Sequence, residues 1–243
     1  MDEPFTLPKL ASAPGPDGWR EEIVRYRVRP RPKPMFKSIL DPRTLFSSGD
    51  GQAEIKTRTH DGAAVGQTAL ELHVRQQLGA LDLVDRFTGV RHGAGVRAGK
   101  LERRIGAGRS EDVDFGVGPF PWPQATYPEV LLPFLMRGMP HGDGKRRAAY
   151  SWTSDRFVAR VYYEVRDVET LDVPAGKIPS HHVWMYPDLN DWVALGSVLT
   201  RLAKPLLPRY SIWFEVAAPH RVVRFEGAYG PPGAPEVLLE LSP

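Results

Sequence analysis

The clearest hydropathy pattern in the chain lies between Val158 and Tyr186, where apolar and polar residues alternate with a period of two. Val161, Tyr163 and Val165 share one face, and Arg160, Tyr162, Glu164 and Arg166 the other. Such alternation marks a strand with one face in a core. Pro174-Ala175-Gly176 breaks it with turn chemistry, since Pro pre-sets φ and Gly supplies φ > 0. A long strand, a tight reversal and a returning strand are expected.

The pattern recurs on both sides. Trp19–Arg29 puts Ile23, Arg25, Arg27 and Arg29 on one face and Val24, Tyr26 and Val28 on the other, inward one. Four strands are expected at Gln52–Thr59, Gln67–Gln76, Ala80–Val90 and Val96–Ile105, with Asp61-Gly62, Gly79 and Gly93-Ala94-Gly95 between them. Strands spaced this regularly, with turn residues between, make an antiparallel meander. Arg209–Val216, His220–Ala228 and Glu236–Leu241 complete the set, and Gly106–Ala125 reads as a long loop.

The period changes twice. Thr126 offers an N-cap and Pro128 a first turn for Val130, Leu131, Phe134 and Leu135. Asp188 or Asn190 offers a cap for Leu189–Lys204, whose Leu189, Trp192, Val193, Leu195, Leu199 and Leu202 form an apolar stripe that Pro205 stops. The expected fold is mainly β: an antiparallel curved sheet or a β-barrel, lipocalin- or lipoprotein-carrier-like, with two short helices. Residues 1–18 read as an N-terminal arm and residues 19–243 as a single β-barrel-like domain, with no internal repeat.

Composition narrows the chemistry. The 243 residues include no cysteine, which excludes disulfides and thiolate chemistry. No apolar run approaches the length of a transmembrane helix, so no transmembrane segment is expected. The opening MDEPFTLPKL is acidic and lacks an apolar signal-peptide core. The chain as it stands is expected to be cytoplasmic, or periplasmic and envelope-associated if an export signal has been trimmed. A net charge of +3 is too mild to imply a nucleic-acid partner. The basic run from Arg25 to Lys37 could grip phosphate or a lipid headgroup, but a solvated sheet edge is the plainer reading.

Familiar motifs fail on context. Gly93-Ala-Gly95-Val-Arg-Ala98 fits the loose dinucleotide fingerprint, yet GKLERRI after it alternates like a strand instead of opening a helix. There is no P-loop, no G-x-S-x-G elbow and no H-E-x-x-H. His181 and His182 are adjacent and point to opposite faces of a strand. His182 shares its face with Trp184 and Tyr186, and an inward His182 beside Tyr186 would make a general acid or base. A hydrogen-bonded core histidine is the plainer alternative. Asp188-Leu-Asn190-Asp191 lacks the Gly and final Glu of a calcium loop and reads as a helix cap. No metal site and no cofactor are expected.

Three stretches of the C-terminal half then gain a shared meaning: VETLDVPAGKIPSHHVWM from Val168, YSIWFEVAAPHRVVRFEG from Tyr210, and the closing VLLEL. Together with YPEVLLPFLMRG from Tyr127, they resemble the bacterial domain of unknown function 3108 family over Tyr127–Leu241. In that family a strand entering VETV-x-VPAG is followed by an IWFS-x-D-x-x-R-x-P-V-R hairpin. The resemblance implies a mostly antiparallel, curved or barrel-like sheet, often in envelope-associated proteins, with no settled activity. Against that pattern, no export signal is expected from the opening residues, and Leu189–Lys204 reads as an insertion between the two hairpins.

The leading functional expectation is a binding protein that holds a hydrophobic or amphipathic, lipid-like small molecule inside a β-barrel. Trp152, Tyr163, Trp184, Trp192 and Trp213 would line the cavity, and Leu189–Lys204 would act as a lid. The alternative is a barrel cyclase or isomerase using His182 and Tyr186 on an apolar substrate in the same cavity. A second alternative is a structural or interaction module with a solid interior. The sequence indicates no oligomeric state.

Overall fold

A computed structural model describes residues 4–31, 46, 49–79, 81–117, 123–142, 144–154, 157–192, 210–228 and 235–243. Strands β1 (Phe5–Thr6), β2 (Trp19–Pro30), β3 (Gly51–His60), β4 (Thr68–Leu78), β5 (Leu81–His92), β6 (Gly95–Ile105) and β7 (Arg109–Asp114) come first. After β8 (Thr126–Pro128) comes a short helix α1 (Leu132–Leu135), with 3-10 turns at Glu129–Leu131 and Met136–Gly138 on either side. Strands β9 (Arg147–Ser154), β10 (Phe157–Val173), β11 (Gly176–Trp192), β12 (Tyr210–Glu215), β13 (Val222–Ala228) and β14 (Glu236–Ser242) follow.

All the strands join one sheet in the order β1-β6-β5-β4-β3-β2-β14-β13-β12-β11-β10-β9-β8, with β7 also paired to β6. Every pairing is antiparallel except β8 with β9. The meander β2–β6 follows from the alternation: Val24, Tyr26 and Val28 of β2 are buried with Ala53 and Ile55 of β3, Leu70, Leu72 and Val74 of β4, Phe87 of β5 and Leu101 of β6. The β10–β11 hairpin turns at Val173↔Gly176, where Gly176 takes φ 114.

The sheet curls but does not close, which corrects the expected barrel. Its ends are stubs, β1 at one side and β8 at the other, and no ladder joins them. One side chain does: the Tyr127 hydroxyl of β8 accepts the Phe5 amide of β1 at 3.1 Å and donates to the Val96 carbonyl of β6. The Phe5 ring stacks obliquely on Tyr127 at 4.8 Å, and Thr6 donates to the Gly138 carbonyl. A Cβ on Gly138 would lie 2.0 Å from the Thr6 carbonyl oxygen, so only glycine lets β1 approach here. The N-terminal arm therefore supplies a strand to the sheet, and Leu10 is buried as well.

The first expected helix is present but short and lacks its expected cap, and the second is corrected at its start. Thr126 caps nothing: it is a buried strand residue opposite Tyr150, and no side chain caps the turns that follow. α1 spans one turn, and Leu131, Leu132, Phe134, Leu135 and Met136 are all buried. A helix apolar on every side belongs inside a core, and the sheet curls around this one. At the second site β11 continues through Trp192, paired with Ala159, and Asp188 accepts a hydrogen bond from Tyr162 of β10 at 2.8 Å instead of capping. The rest of the expected helix, from residue 193 to 204, lies outside the described residues, as does most of the basic run after Arg31.

β7 falls where a loop was expected. Its sequence RSEDVD has little β propensity, but Lys100 faces Asp114 and Arg103 faces Glu111 across the β6–β7 ladder. Opposite charges directly across a ladder stabilise pairing that propensity alone would not. Among the described residues no helix is long and apolar enough to cross a membrane.

Replacing Tyr127 by Phe keeps the ring packing and strips both hydrogen bonds from the seam. The expected cost is about 1–3 kcal/mol, because the Phe5 amide and the Val96 carbonyl are left buried and unpaired. Thermal unfolding together with amide exchange at Phe5 checks this. Unchanged exchange at Phe5 would show that the hydroxyl does not hold the seam.

Candidate functional site

The interior is organised around the segment Glu129–Gly138. Its apolar side chains pack against Tyr26, whose ring lies 6.0 Å from Phe134, and join a single cluster with Trp152, Val161, Tyr163, Val183, Met185, Ile212, Phe214 and Phe225. One carboxylate enters this environment. Glu129 accepts from the Tyr210 hydroxyl at 2.5 Å and from the Thr153 hydroxyl at 2.7 Å. Burial raises its pKa, and the two hydroxyls and the nearby Arg103 only partly offset that. Arg103 is itself buried in a bidentate pair with Asp85 at 2.8 and 3.2 Å.

Beyond the other end of α1 the polar groups are different. Arg137, nearly fully buried, contacts Glu22 at 2.6 Å and donates to the Pro219 carbonyl at 3.2 Å. Next to it three imidazoles gather from separate elements: His141 after the helical segment, His181 of β11, and His220 in the β12–β13 turn. The His141 ring lies 5.3 Å from His181, 4.9 Å from His220 and 5.0 Å from Phe214. His220 adopts φ 55, a left-handed conformation uncommon outside glycine, and its Nδ1 lies 2.9 Å from the Glu215 carbonyl oxygen. If that nitrogen carries the proton, Nε2 is left as an acceptor. His141 Nε2 and His181 Nδ1 are buried with no hydrogen-bond partner. Burial lowers the His141 pKa to about 3, helped by the charges of His220, His181 and Arg147, and burial likewise lowers His181. His141 and His181 are therefore neutral at ordinary pH.

The residues singled out from the sequence divide between the two faces of the sheet. Trp152 and Tyr163 are buried in the core. Trp184, His182 and Tyr186 lie on the opposite face, because Val183 and Met185 take the core-facing positions of β11, and Trp213 of β12 is paired with His182 there yet is itself buried. The inward histidine of the pair is thus His181, the one in phase with Val183 and Met185. His182 stacks on Trp213 at 4.4 Å with the ring planes 7° apart, and Tyr186 lies 5.9 Å from Tyr162. An interior acid–base pair of His182 and Tyr186 is not formed. Trp192 ends β11, and its side chain lies outside what is described.

Arginines cover that outward aromatic row: Arg146 lies 4.3 Å over Tyr162 and Arg166 4.0 Å over Trp184. The arginines of the basic run are engaged too, Arg27 and Arg29 with Glu240 and Arg31 with Glu236. An open cleft of about 620 Å³ near Arg25, Arg27, Asp50, Glu54 and Arg75 is polar and offers little to an apolar ligand.

Sequence reasoning missed Glu129, His141 and His220. Only Glu129 carried a local signal, as the one charge in an otherwise apolar YPEVLLPFL run. The other two are separated by 79 positions and meet only through the sheet.

The His141 shift has a definite sign. A folded pKa near 3 against about 6.5 unfolded means that the unfolded chain binds more protons between those values. Its stabilising contribution is therefore complete above pH 6.5 and drains away as pH falls, by about 2 kcal/mol at pH 5. His141→Phe should flatten this part of the profile of melting temperature between pH 7.5 and 5. An identical slope in the variant would exclude His141 as its source.

No protein-family model matches the chain, and no curated protein matches it. A solved structure from Bacteroides fragilis, of a candidate exported protein with a YmcC-like fold, aligns with 12% identity over 98% of this chain and 97% of that one, at a TM-score of 0.31. A likeness of that size carries no argument, and the fold described above stands on its strand pairing alone.

Proposed function

We propose that the protein is a binding protein for a hydrophobic or amphipathic small molecule, held on the core-facing side of the curled sheet where Glu129–Gly138 now sits. The observation that supports this most is the character of that segment. Its α-helical part, Leu132–Leu135, is one turn long, apolar on all sides and uncapped by any side chain, with a 3-10 turn before and after it. A segment of this kind owes its place to the surrounding core rather than to its own helical stability. It also borders the seam that Tyr127 closes with side-chain bonds, so the sheet need break no backbone ladder to part there. The trough carries polar groups at both ends of the segment, Glu129 with Tyr210 on one side and Arg137 with the histidines on the other. Such an arrangement suits a molecule with an apolar body and a polar group.

A second reading, a structural or interaction module, draws on one observation. Leu131, Leu132 and Met136 are each 0% exposed, as in a core with no room to spare.

The two readings separate on Leu132→Ala, which trims the segment at a fully buried position. A purely structural core predicts a loss of about 2–5 kcal/mol and no change in binding. A ligand trough predicts co-purified small molecules in native mass spectra followed by denaturing extraction, plus an apolar dye whose fluorescence rises on binding and rises further with the variant. Protein that brings no small molecule from cells and leaves the dye dark would refute the proposal.

A further inference from the structure

We propose that Asp167, Glu169 and His182 bind a divalent transition-metal cation on the outward face of the β10–β11 hairpin. Among the described residues, these three form a group whose donor atoms all lie within 4.8 Å of one another. His182 Nδ1 stands 3.2 Å from Asp167 Oδ1 and 3.9 Å from Glu169 Oε1. Two ligands about 2.1 Å from a tetrahedral ion are themselves about 3.4 Å apart, so the donors need little movement to share one.

Local structure brings them together. Between Val165 and Val168 the β10 register slips against β11, Val165 facing Val183 while Val168 faces His181. The extra residue on β10 is a bulge, a device that re-aims side chains, and Asp167 sits in it. His182 is held from behind by Trp213, which stacks on its ring, while the Trp213 indole N–H donates to Glu169 Oε1 at 2.6 Å. The bond from Trp213 is an outer contact of the kind that orients carboxylate ligands at natural metal sites, whereas His182 is held by stacking, its Nε2 buried without a hydrogen-bond partner.

The charge pattern gives an independent reason. Elsewhere on this face the acids are answered by arginine: Glu164 by Arg166 at 2.7 Å, and the nearly buried Glu240 by Arg27, Arg29 and Arg224. Asp167 and Glu169 meet no Lys or Arg ion pair among the described residues and converge on an imidazole instead. Two carboxylates with one nitrogen leave room for a dication. The nitrogen donor favours Zn²⁺, Co²⁺ or Ni²⁺ over Ca²⁺ and Mg²⁺, which take all-oxygen shells. Three protein ligands leave a coordination position open to water.

The test uses tag-free, chelator-treated protein and calorimetric titration with Zn²⁺ and Co²⁺ at pH 7.5. One ion per chain is expected, with tryptophan fluorescence changing in step because Trp213 lies against His182. His182→Ala and the double change Asp167→Asn with Glu169→Gln should each weaken binding by about tenfold or more, and thermal melts confirm that the variants are folded. His141→Ala should bind as tightly as the unaltered protein. Affinity no tighter than roughly millimolar, or equal in the site variants, would overturn the proposal. Loss of binding in His141→Ala alone would move the ion to the histidine cluster and overturn it as well.

Discussion

Everything in this molecule depends on the pairing of β14 with β2. Without it there would be two separate meanders, β2–β6 and β9–β14, with β2 and β14 as apolar edge strands. Six residue pairs from Val237↔Pro30 to Ser242↔Arg25 join them into one sheet, and Val28 and Leu239, directly opposite, are both completely buried. On the other face Glu240 is enclosed by Arg27, Arg29 and Arg224. Burial there pushes its carboxyl up, but hydrogen bonds from Arg27 and Arg29 and the charges of Arg29 and Arg224 outweigh it, and the net shift is downward. A carboxylate so placed fixes the register of three strands at once, since a slip of one residue would send it into the core.

This join also explains what happens to the basic run near the start of the chain. Its described arginines alternate outward on β2 because Val24, Tyr26 and Val28 must face in, and they land where β14 presents Glu236 and Glu240. Arg27, Arg29 and Arg31 are thereby taken up in holding the two meanders together, while Arg25 pairs with Glu54 of β3.

Strands that repeat the period of two were legible in the sequence, since each buries one face and the turn residues between them carry their own chemistry. Three kinds of element were not. β7 alternates charges rather than apolar groups, and its partners on β6 become visible only once the register is known. The segment after β8 is apolar on every side, which in one dimension looks like an amphipathic helix with a blurred face. Asp188-Leu-Asn190-Asp191 looks like a cap, but the ladder to β10 overrides local preference and continues to Trp192. The same limit governed the site. Choosing between His181 and His182 needed only the phase of Val183 and Met185, whereas the meeting of His141 with His220 rests on long-range topology.

An open sheet of fourteen strands has two edges, and edges recruit other chains. Here one edge is three residues of β8, ending in Pro128, which has no amide to offer. The other is shared by the two residues of β1 and the charged β7, whose SEDVD face is a poor template for a foreign strand. The curl turns both stubs toward each other across Tyr127. A sheet left unclosed by its backbone is in this way protected against the edge-to-edge polymerisation that its size would otherwise invite.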